Sequence, residues 1–331
     1  MARYGRLYNI PGSGYCAGPE ASRVNPTPLV SVLIPTHDYA RYLPAAIESV
    51  LAQDLDDFEL IVVDDASTDD TRGVLESYAG RDRRLRWQVN PANLGLVANW
   101  NRCLRQARGE YIKYVFGDDF LVEPDALSRM ARILRSDPAV SLVASARRIV
   151  DEHSAETDVW CHWPDGAVRS GGEVIRRCLL DMRNYVGEPT AVMFRRSQAH
   201  RGFHPAYLQL VDLEMWFHLL DAGAFAYVST PLCAFRQHAL QQTQRARRER
   251  LDILDQQYLL RDYLHHPQVR LSAGQRWYLQ FDLVRSYRRL ARTDHAIRPL
   301  AVELLTRYGA PRYFLGYPAY RAYRTLRKIC R

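Results

Sequence analysis

From Val30 onward, short apolar runs rich in β-branched residues alternate with amphipathic stretches. VSVLI (30–34), FELIVV (58–63), LRWQV (85–89), YIKYVF (111–116) and VSLVAS (140–145) read as strands. Between them, stretches at about 41–53, 69–79, 96–107 and 125–135 carry apolar residues at helical spacing. Runs without a polar face suit strands covered on both sides, and a repeat of about 25 to 30 residues suits successive β-α-β crossovers. Residues 30–145 are therefore expected to form a doubly wound, mainly parallel sheet of nucleotide-binding type, within a first region at 29–150. After Val150 the alternation fades into loops containing Trp and Gly, with helices expected near 172–183 and 211–222 and a short strand at FAYVS (225–229). This second region, 151–244, is where acceptor-side structure is expected. From 245 to 331 the chain turns basic and helical, with segments near 250–265, 272–292, 298–308 and 317–329. Residues 1–28, rich in Gly, Pro and Ser, read as a flexible lead-in rather than a signal peptide.

Composition narrows the class. A chain of 331 residues with 47% hydrophobic content can bury a large core without metals or disulfides. Its six cysteines are scattered and form no C-x-x-C pair, which favours a reduced cytoplasmic setting and argues against a zinc site. No run reaches 18 apolar residues, so the chain is expected to be soluble or to meet a membrane only at its surface. Lys and Arg outnumber Asp and Glu by 45 to 37, a formal +8 that favours acidic partners. The arginines are spread through helices and no nucleic-acid module appears, so nucleic acid is not the expected partner.

In open α/β sheets the ligand lies at the carboxyl ends of the strands, and here those ends are polar. The first strand ends in Pro35-Thr36-His37-Asp38, the second in Asp64-Asp65-Ala66-Ser67-Thr68-Asp69, the fourth in Gly117-Asp118-Asp119. Capping of the next helix explains one residue among 67–69, but not two adjacent aspartates at a strand end. Clustered carboxylates raise one another's pKa and usually hold a hard cation such as Mg²⁺ or Mn²⁺. The first loop has no glycine, which disfavours a dinucleotide-binding or P-loop enzyme; a metal would then have to neutralise any bound phosphate.

VSVLIPTHDYARYLPAAIESVLAQ, FELIVVDDASTDDT, NLGLVANWNRCLRQARGEYI and the Asp-Asp loop together resemble glycosyltransferase family 2. Later landmarks follow in order: AVMFRR after Glu188-Pro189-Thr190, then DLEMWFHLL, then PLCAFRQH, so the resemblance covers about two thirds of the chain. It implies a GT-A type fold carrying a helical C-terminal extension. It also implies an inverting transfer of one sugar from a UDP, GDP or dTDP sugar to a hydroxyl acceptor. Pro35, Thr36 and Asp65, with Asp64 beside them, fall where the family contacts base and ribose. Gly117 and Asp118 fall in the D-x-D metal loop, with Asp119 a further candidate ligand. Phe116 stands where the first Asp of that loop is expected, which puts ribose contact or metal affinity in question. His238 falls where the family places a histidine near metal and diphosphate, and Arg236 is available for phosphate charge.

Asp212 matches the general base, which takes the acceptor's proton as its oxygen attacks the anomeric carbon. Glu214 is the alternative base, and Glu188 and Trp216 are expected around the acceptor. Asn93, Gly95 and Asn99 also match family positions, although a helix entry explains them equally well.

The absence of a Q-x-x-R-W signature points to a non-processive enzyme. A sugar nucleotidyltransferase and a catalytically degenerate nucleotide-sugar-binding protein are the rival readings; the first usually carries a basic Gly-rich loop that is missing here. In the last segment Tyr317, Tyr320 and Tyr323 interleave with Arg321, Arg324 and Arg327. That composition suits either a solvated face or docking at the inner face of a membrane, with a lipid-linked glycan as acceptor. A soluble natural product or a protein side chain is the alternative acceptor.

Overall fold

The computed structural model describes residues 27–238 and 252–292, with isolated positions 299, 302, 306, 316, 318 and 320. Strand β1 (Val30–Thr36) is buried at all seven positions, as is β2 (Phe58–Asp64) parallel to it. β3 (Leu85–Val89) extends the sheet beyond β2, and β4 (Tyr111–Tyr114) pairs with the other edge of β1, again in parallel. Of these, β1, β2 and β4 lack a polar face, whereas LRWQV in β3 alternates and is only partly buried. Two polar positions inside them answer each other, since the Ser31 hydroxyl donates to Glu59 at 2.6 Å and Arg108 closes on the same carboxylate.

The remaining strands are β5 (Phe120–Leu121), β6 (Val140–Val150), β7 (Glu156–Trp160), β8 (Val168–Ser170), β9 (Val192–Arg195) and β10 (Ala224–Arg236). The order across the sheet is β3-β2-β1-β4-β9-β6-β10-β5, with β7 paired to β6 and β8 to β10. The expected division at residue 150 therefore does not divide the sheet. β9 enters antiparallel between β4 and β6, and β10 runs parallel to β6 as a strand much longer than the stretch 225–229 that was expected.

Helices cover both faces. α1 (Leu43–Leu51), α2 (Thr71–Ser77) and α4 (Ala126–Ser136) close one core, through residues such as Ile47, Leu75 and Met130. On the other face lie α3 (Leu96–Gln106), α5 (Gly171–Asp181), α6 (Val211–Asp221), α7 (Asp252–Tyr263) and α8 (Ala273–Leu290). α8 starts with a capping box, Ser272 and Gln275 each answering the other's backbone N–H. The helices expected at 298–308 and 317–329 lie outside the described residues apart from the isolated positions. Of these, Tyr320 is buried, stacked on Phe281 at 4.4 Å and donating its hydroxyl to Asp282, so it faces α8 rather than a membrane.

α6 carries the candidate base and is seated by apolar contact: Leu213, Met215, Trp216, Phe217, Leu219 and Leu220 are all buried, each worth about 1.5–3 kcal/mol. α5 packs against its end without room for a side chain, because a Cβ on Gly171 would stand 1.7 Å from the Leu220 carbonyl oxygen. Gly171→Ala is therefore expected to destabilise the fold by about 1–3 kcal/mol through overpacking. Urea unfolding checks this, and an unchanged midpoint would mean the α5–α6 seam is loose.

Candidate active site

The loops that follow β1 and β2 are stitched together by carboxylates. Asp38 accepts from the Thr68 N–H at 2.7 Å and the Ala40 N–H donates to Asp69 at 2.9 Å. Asp38 and Ala66 have φ of 56° and 57°, the turn geometry those bonds require. Asp64 accepts from the Ser67 N–H and hydroxyl. Asp65 accepts from the Asn90 amide at 2.7 Å and from the N–H groups of Leu94 and Gly95 at 2.8 and 2.9 Å. Asn99 completes this corner by accepting from Asn90 and donating to the Val63 carbonyl. Asp69 also serves the start of α2, its carboxylate accepting from the N–H and hydroxyl of Thr71, whereas the N-cap Asp70 makes no side-chain bond.

Beside them the Thr36 hydroxyl is buried without a hydrogen-bond partner. A Cβ on Gly117 would lie 2.8 Å from that hydroxyl oxygen and 3.2 Å from the Tyr39 ring, so only glycine lets the two loops meet. Pro35, Thr36, Asp64, Asp65, Gly117 and Asp118 thus share one sheet edge, all of them buried. Two hollows are present as well. One of about 280 Å³ adjoins this edge behind Tyr42 and is lined by Arg41, Glu152, His153 and Arg236; another of about 370 Å³ lies between α7 and α8.

Asp118 and His238 meet at 3.1 Å, Oδ2 to Nε2, with each side chain 5% exposed. The imidazole is boxed by Tyr39 and Tyr42, whose ring centroids lie 5.8 and 5.3 Å away. Burial and the charges of Asp118 and Asp119 push the Tyr39 phenol far above its ordinary range, so it stays protonated. Asp119 faces inward instead. One of its oxygens accepts from the Thr190 hydroxyl at 2.5 Å and the other from the Arg236 N–H at 2.9 Å. Burial, then the neighbouring Asp118, raise its pKa well above the ordinary value. Both oxygens thus accept hydrogen bonds from the protein itself.

Arg236, expected to meet phosphate, is 2% exposed and holds the protein itself. Its guanidinium donates to the Asp118 carbonyl at 2.8 Å and to the Asp151 carbonyl and Ser154 hydroxyl at 2.9 Å. Phe116, in the place of an acid, packs on Trp100 at 4.8 Å and joins an aromatic cluster with Tyr114. Lys113 lies below the loop, its ammonium donating to the Thr190 carbonyl, and burial lowers its pKa to about 8.

A cation at Asp118 and His238 is chemically reasonable, since two donor atoms about 3 Å apart suit neighbouring corners of an octahedron with bonds of about 2.1 Å. Among the described residues no group of three or more His, Cys, Asp or Glu side chains gathers to hold a metal. The pair would thus need oxygens from a bound diphosphate to complete the shell, as Mg²⁺ sites commonly do.

Asp212 stands at the start of α6, half-buried. Its carboxylate accepts from the Leu213 N–H at 2.8 Å and from the Asn184 amide at 3.0 Å. Burial, then the charge of Glu188, raise its pKa from 3.8 to about 7, against those two donors. Glu188 itself is paired with the buried Arg147. Glu214 points the other way and forms a two-point ion pair with Arg201 at 2.7 and 3.0 Å, which withdraws it as the alternative base. Trp216 is fully buried and supports the site from behind, donating its indole N–H to the Gly187 carbonyl at 2.8 Å. Asn184, Tyr39, Tyr42 and Thr190 carry no signature in the sequence that would mark them as site residues, although the last sits in the Glu188-Pro189-Thr190 landmark.

Residues 31–202 match the family described as "Glycosyl transferase family 2". An uncharacterised protein of Mycobacterium tuberculosis is 34% identical over 274 residues, covering 77% of this chain and 83% of the relative. Chondroitin synthase of Escherichia coli is 28% identical over 63% of this chain, which spans only 29% of that longer protein. Among solved structures, TarS 1–349 of S. aureus in complex with UDP-GlcNAc superposes with a TM-score of 0.58 at 16% identity, covering 88% of this chain and 91% of that one. The mannosyltransferase PcManGT of Pyrobaculum calidifontis, in complex with GDP-Man and Mn²⁺, gives 0.53 at 19% identity over 90% and 84%.

The fold is therefore that of a GT-A glycosyltransferase. The chain belongs to glycosyltransferase family 2 and is an enzyme of glycosyl transfer. No helix among the described residues is long and apolar enough to cross a membrane.

Between pH 3.8 and about 7 the folded chain keeps on Asp212 a proton that the unfolded chain releases. The group's contribution to stability then falls as pH rises through that window and is level above it. Asp212→Asn, which keeps the shape and the Asn184 contact, is expected to gain in melting temperature over the parent from pH 4 to 7. A constant difference across that range would contradict the raised pKa.

Proposed function

We propose that this chain transfers a single sugar from a nucleoside-diphosphate sugar to a hydroxyl acceptor with inversion at the anomeric carbon. Asp212 is the general base. The observation that carries this reading is its carboxyl, held by Asn184 and Leu213 and tuned near neutrality, where a base is most effective at cellular pH. As the acceptor oxygen bonds to the anomeric carbon, its proton passes to Asp212 and the bond to the diphosphate oxygen breaks. A single in-line displacement of this kind inverts the centre.

Asp118 and His238 would hold Mn²⁺ or Mg²⁺ where the leaving diphosphate develops charge. When bound, the cation neutralises that charge and orients the leaving group. Arg236 keeps the Asp118 carbonyl in place rather than touching phosphate. Pro35, Thr36, Asp64 and Asp65 form the nucleoside side, with the orphaned Thr36 hydroxyl available to a ligand. The names of the relatives, a chondroitin synthase among them, support a saccharide hydroxyl in surface-polysaccharide assembly as the acceptor. A cytoplasmic location, at the inner face of a membrane when the acceptor is lipid-linked, fits this reading. Phe116 favours a second one, nucleotide-sugar binding without transfer, because the loop has lost an acid.

Calorimetric titration with UDP, GDP and dTDP, each with and without Mn²⁺, is expected to show selective and metal-dependent binding of one nucleotide. Asp118→Ala should abolish the metal-dependent part; an undiminished metal requirement would remove Asp118 from the cation's ligands.

With donor and acceptor supplied, Asp212→Asn should lower kcat by about 10² to 10⁴ while nucleotide affinity is unchanged. Turnover that survives the substitution would sink the base assignment, and absence of turnover in the parent protein would favour the binding-only reading.

A further inference from the structure

Next to Asp212 the acceptor wall carries cationic charge that the proposed reaction does not use. Arg177, on α5, is half-buried, its guanidinium carbon 4.2 Å from the Trp163 ring centroid and 4.3 Å from that of Tyr185. The guanidinium carbon of Arg183 lies 5.5 Å from the Tyr185 ring centroid. Among the described residues neither guanidinium makes a hydrogen bond or an ion pair with protein. Arg147 is 1% exposed and paired with Glu188, but its Nη1 has no hydrogen-bond partner.

The rings on which Arg177 rests are fixed in place. The Trp163 indole donates to the Tyr185 carbonyl at 2.8 Å, and the Tyr185 hydroxyl to Asp181 at 2.7 Å. The link to the chemistry is short, because Asn184, between Arg183 and Tyr185, donates to Asp212. A guanidinium whose faces rest on aromatic rings keeps its in-plane N–H edge for a planar or tetrahedral anion. Leaving such donors half-buried and unanswered costs free energy unless a ligand or water takes them. The three arginines act on one point: after burial, the charges of Arg147, Arg183 and Arg177 lower the His162 imidazole to about 4, so it adds no charge of its own near neutral pH.

We propose that Arg177 and Arg183, with Arg147 behind them, form an anion subsite in the acceptor wall. The acceptor then carries a carboxylate or phosphate group close to the hydroxyl that is glycosylated. This rests on the reading of Asp212 as the base, since it is the base that places the acceptor beside these arginines. Glu188 does not cancel the site, because it is held by Arg147, and Asp181 accepts from the Tyr185 hydroxyl.

The full chain, saturated with its nucleoside diphosphate and Mn²⁺ so that the donor side is occupied, is titrated with three probes. These are phenyl β-D-glucuronide, phenyl β-D-glucoside 6-phosphate and uncharged phenyl β-D-glucoside. At least one charged probe is expected to bind about tenfold or more tightly than the neutral one, the scale of a hydrogen bond to a charged group. Which charged probe binds decides between carboxylate and phosphate.

Arg177→Gln and Arg183→Gln should each bring the charged probe toward the affinity of the neutral one. Arg177→Lys, which keeps charge but not the flat fork, should fall less than Arg177→Gln. Arg183 is exposed, so its variant is expected to fold and to keep nucleotide binding. Equal binding of all three probes, or binding of none by a protein that binds nucleotide, overturns the subsite alone. A protein that binds no nucleoside diphosphate overturns the transferase reading, and the subsite with it.

Discussion

A single buried carboxylate ties the site together. Asp119 accepts from the Thr190 hydroxyl on one side and from the Arg236 backbone on the other, so three segments distant in sequence converge on it. Thr190 also receives the Phe116 N–H and gives its carbonyl to Lys113. Arg236 in turn holds the Asp118 carbonyl and reaches the turn at 151–154. A buried carboxyl with two donors is strongly directional, and replacing either donor leaves an uncompensated polar group in the interior. The positions of Asp118 and His238 follow from this knot, as does that of Glu188, two residues before Thr190.

From Glu188 the arrangement passes to Asp212 through charge rather than contact. Arg147 offsets Glu188, Glu188 raises Asp212, and Asn184 fixes the orientation of the Asp212 carboxyl. The apolar seat of α6 carries the strain of this design. A half-buried carboxyl near its midpoint at neutral pH destabilises the fold where it sits, and the buried Leu213 and Trp216 around it offset that cost.

Much of the sheet was legible in the sequence because burial on both faces leaves no alternation, and β1, β2 and β4 read as apolar runs broken only by single polar residues such as Ser31, Glu59 and Lys113. The place of β9 was not, because pairing between strands about eighty residues apart leaves no local pattern. β7 was missed for a different reason: Glu156 to Val159 are exposed, so nothing apolar marks a strand there.

At the site, acids at strand ends were visible but their work was not. Asp64, Asp65 and Asp38 bind backbone N–H groups across loops, a role that depends on the path of the chain after each strand. Asp212 and Glu214 are separated by two residues, which on a helix turns their side chains about 200° apart. Sequence therefore names both acids, while only the fold sends one to Asn184 and the other to Arg201.

The antiparallel insertion of β9 also governs the order in which this protein can assemble. β4 ends at Tyr114 and its outer edge finds no partner until Val192–Arg195 has been made, with β6 and β10 docking only around that strand. At roughly 5–20 residues per second of synthesis, those eighty or so residues leave the edge of an apolar strand open for about 4 to 16 seconds. An unpaired edge of that kind is a template for association with another nascent chain. Completion of the sheet beyond β4 is thus a late event, coupled by topology to the arrival of residues 192–195.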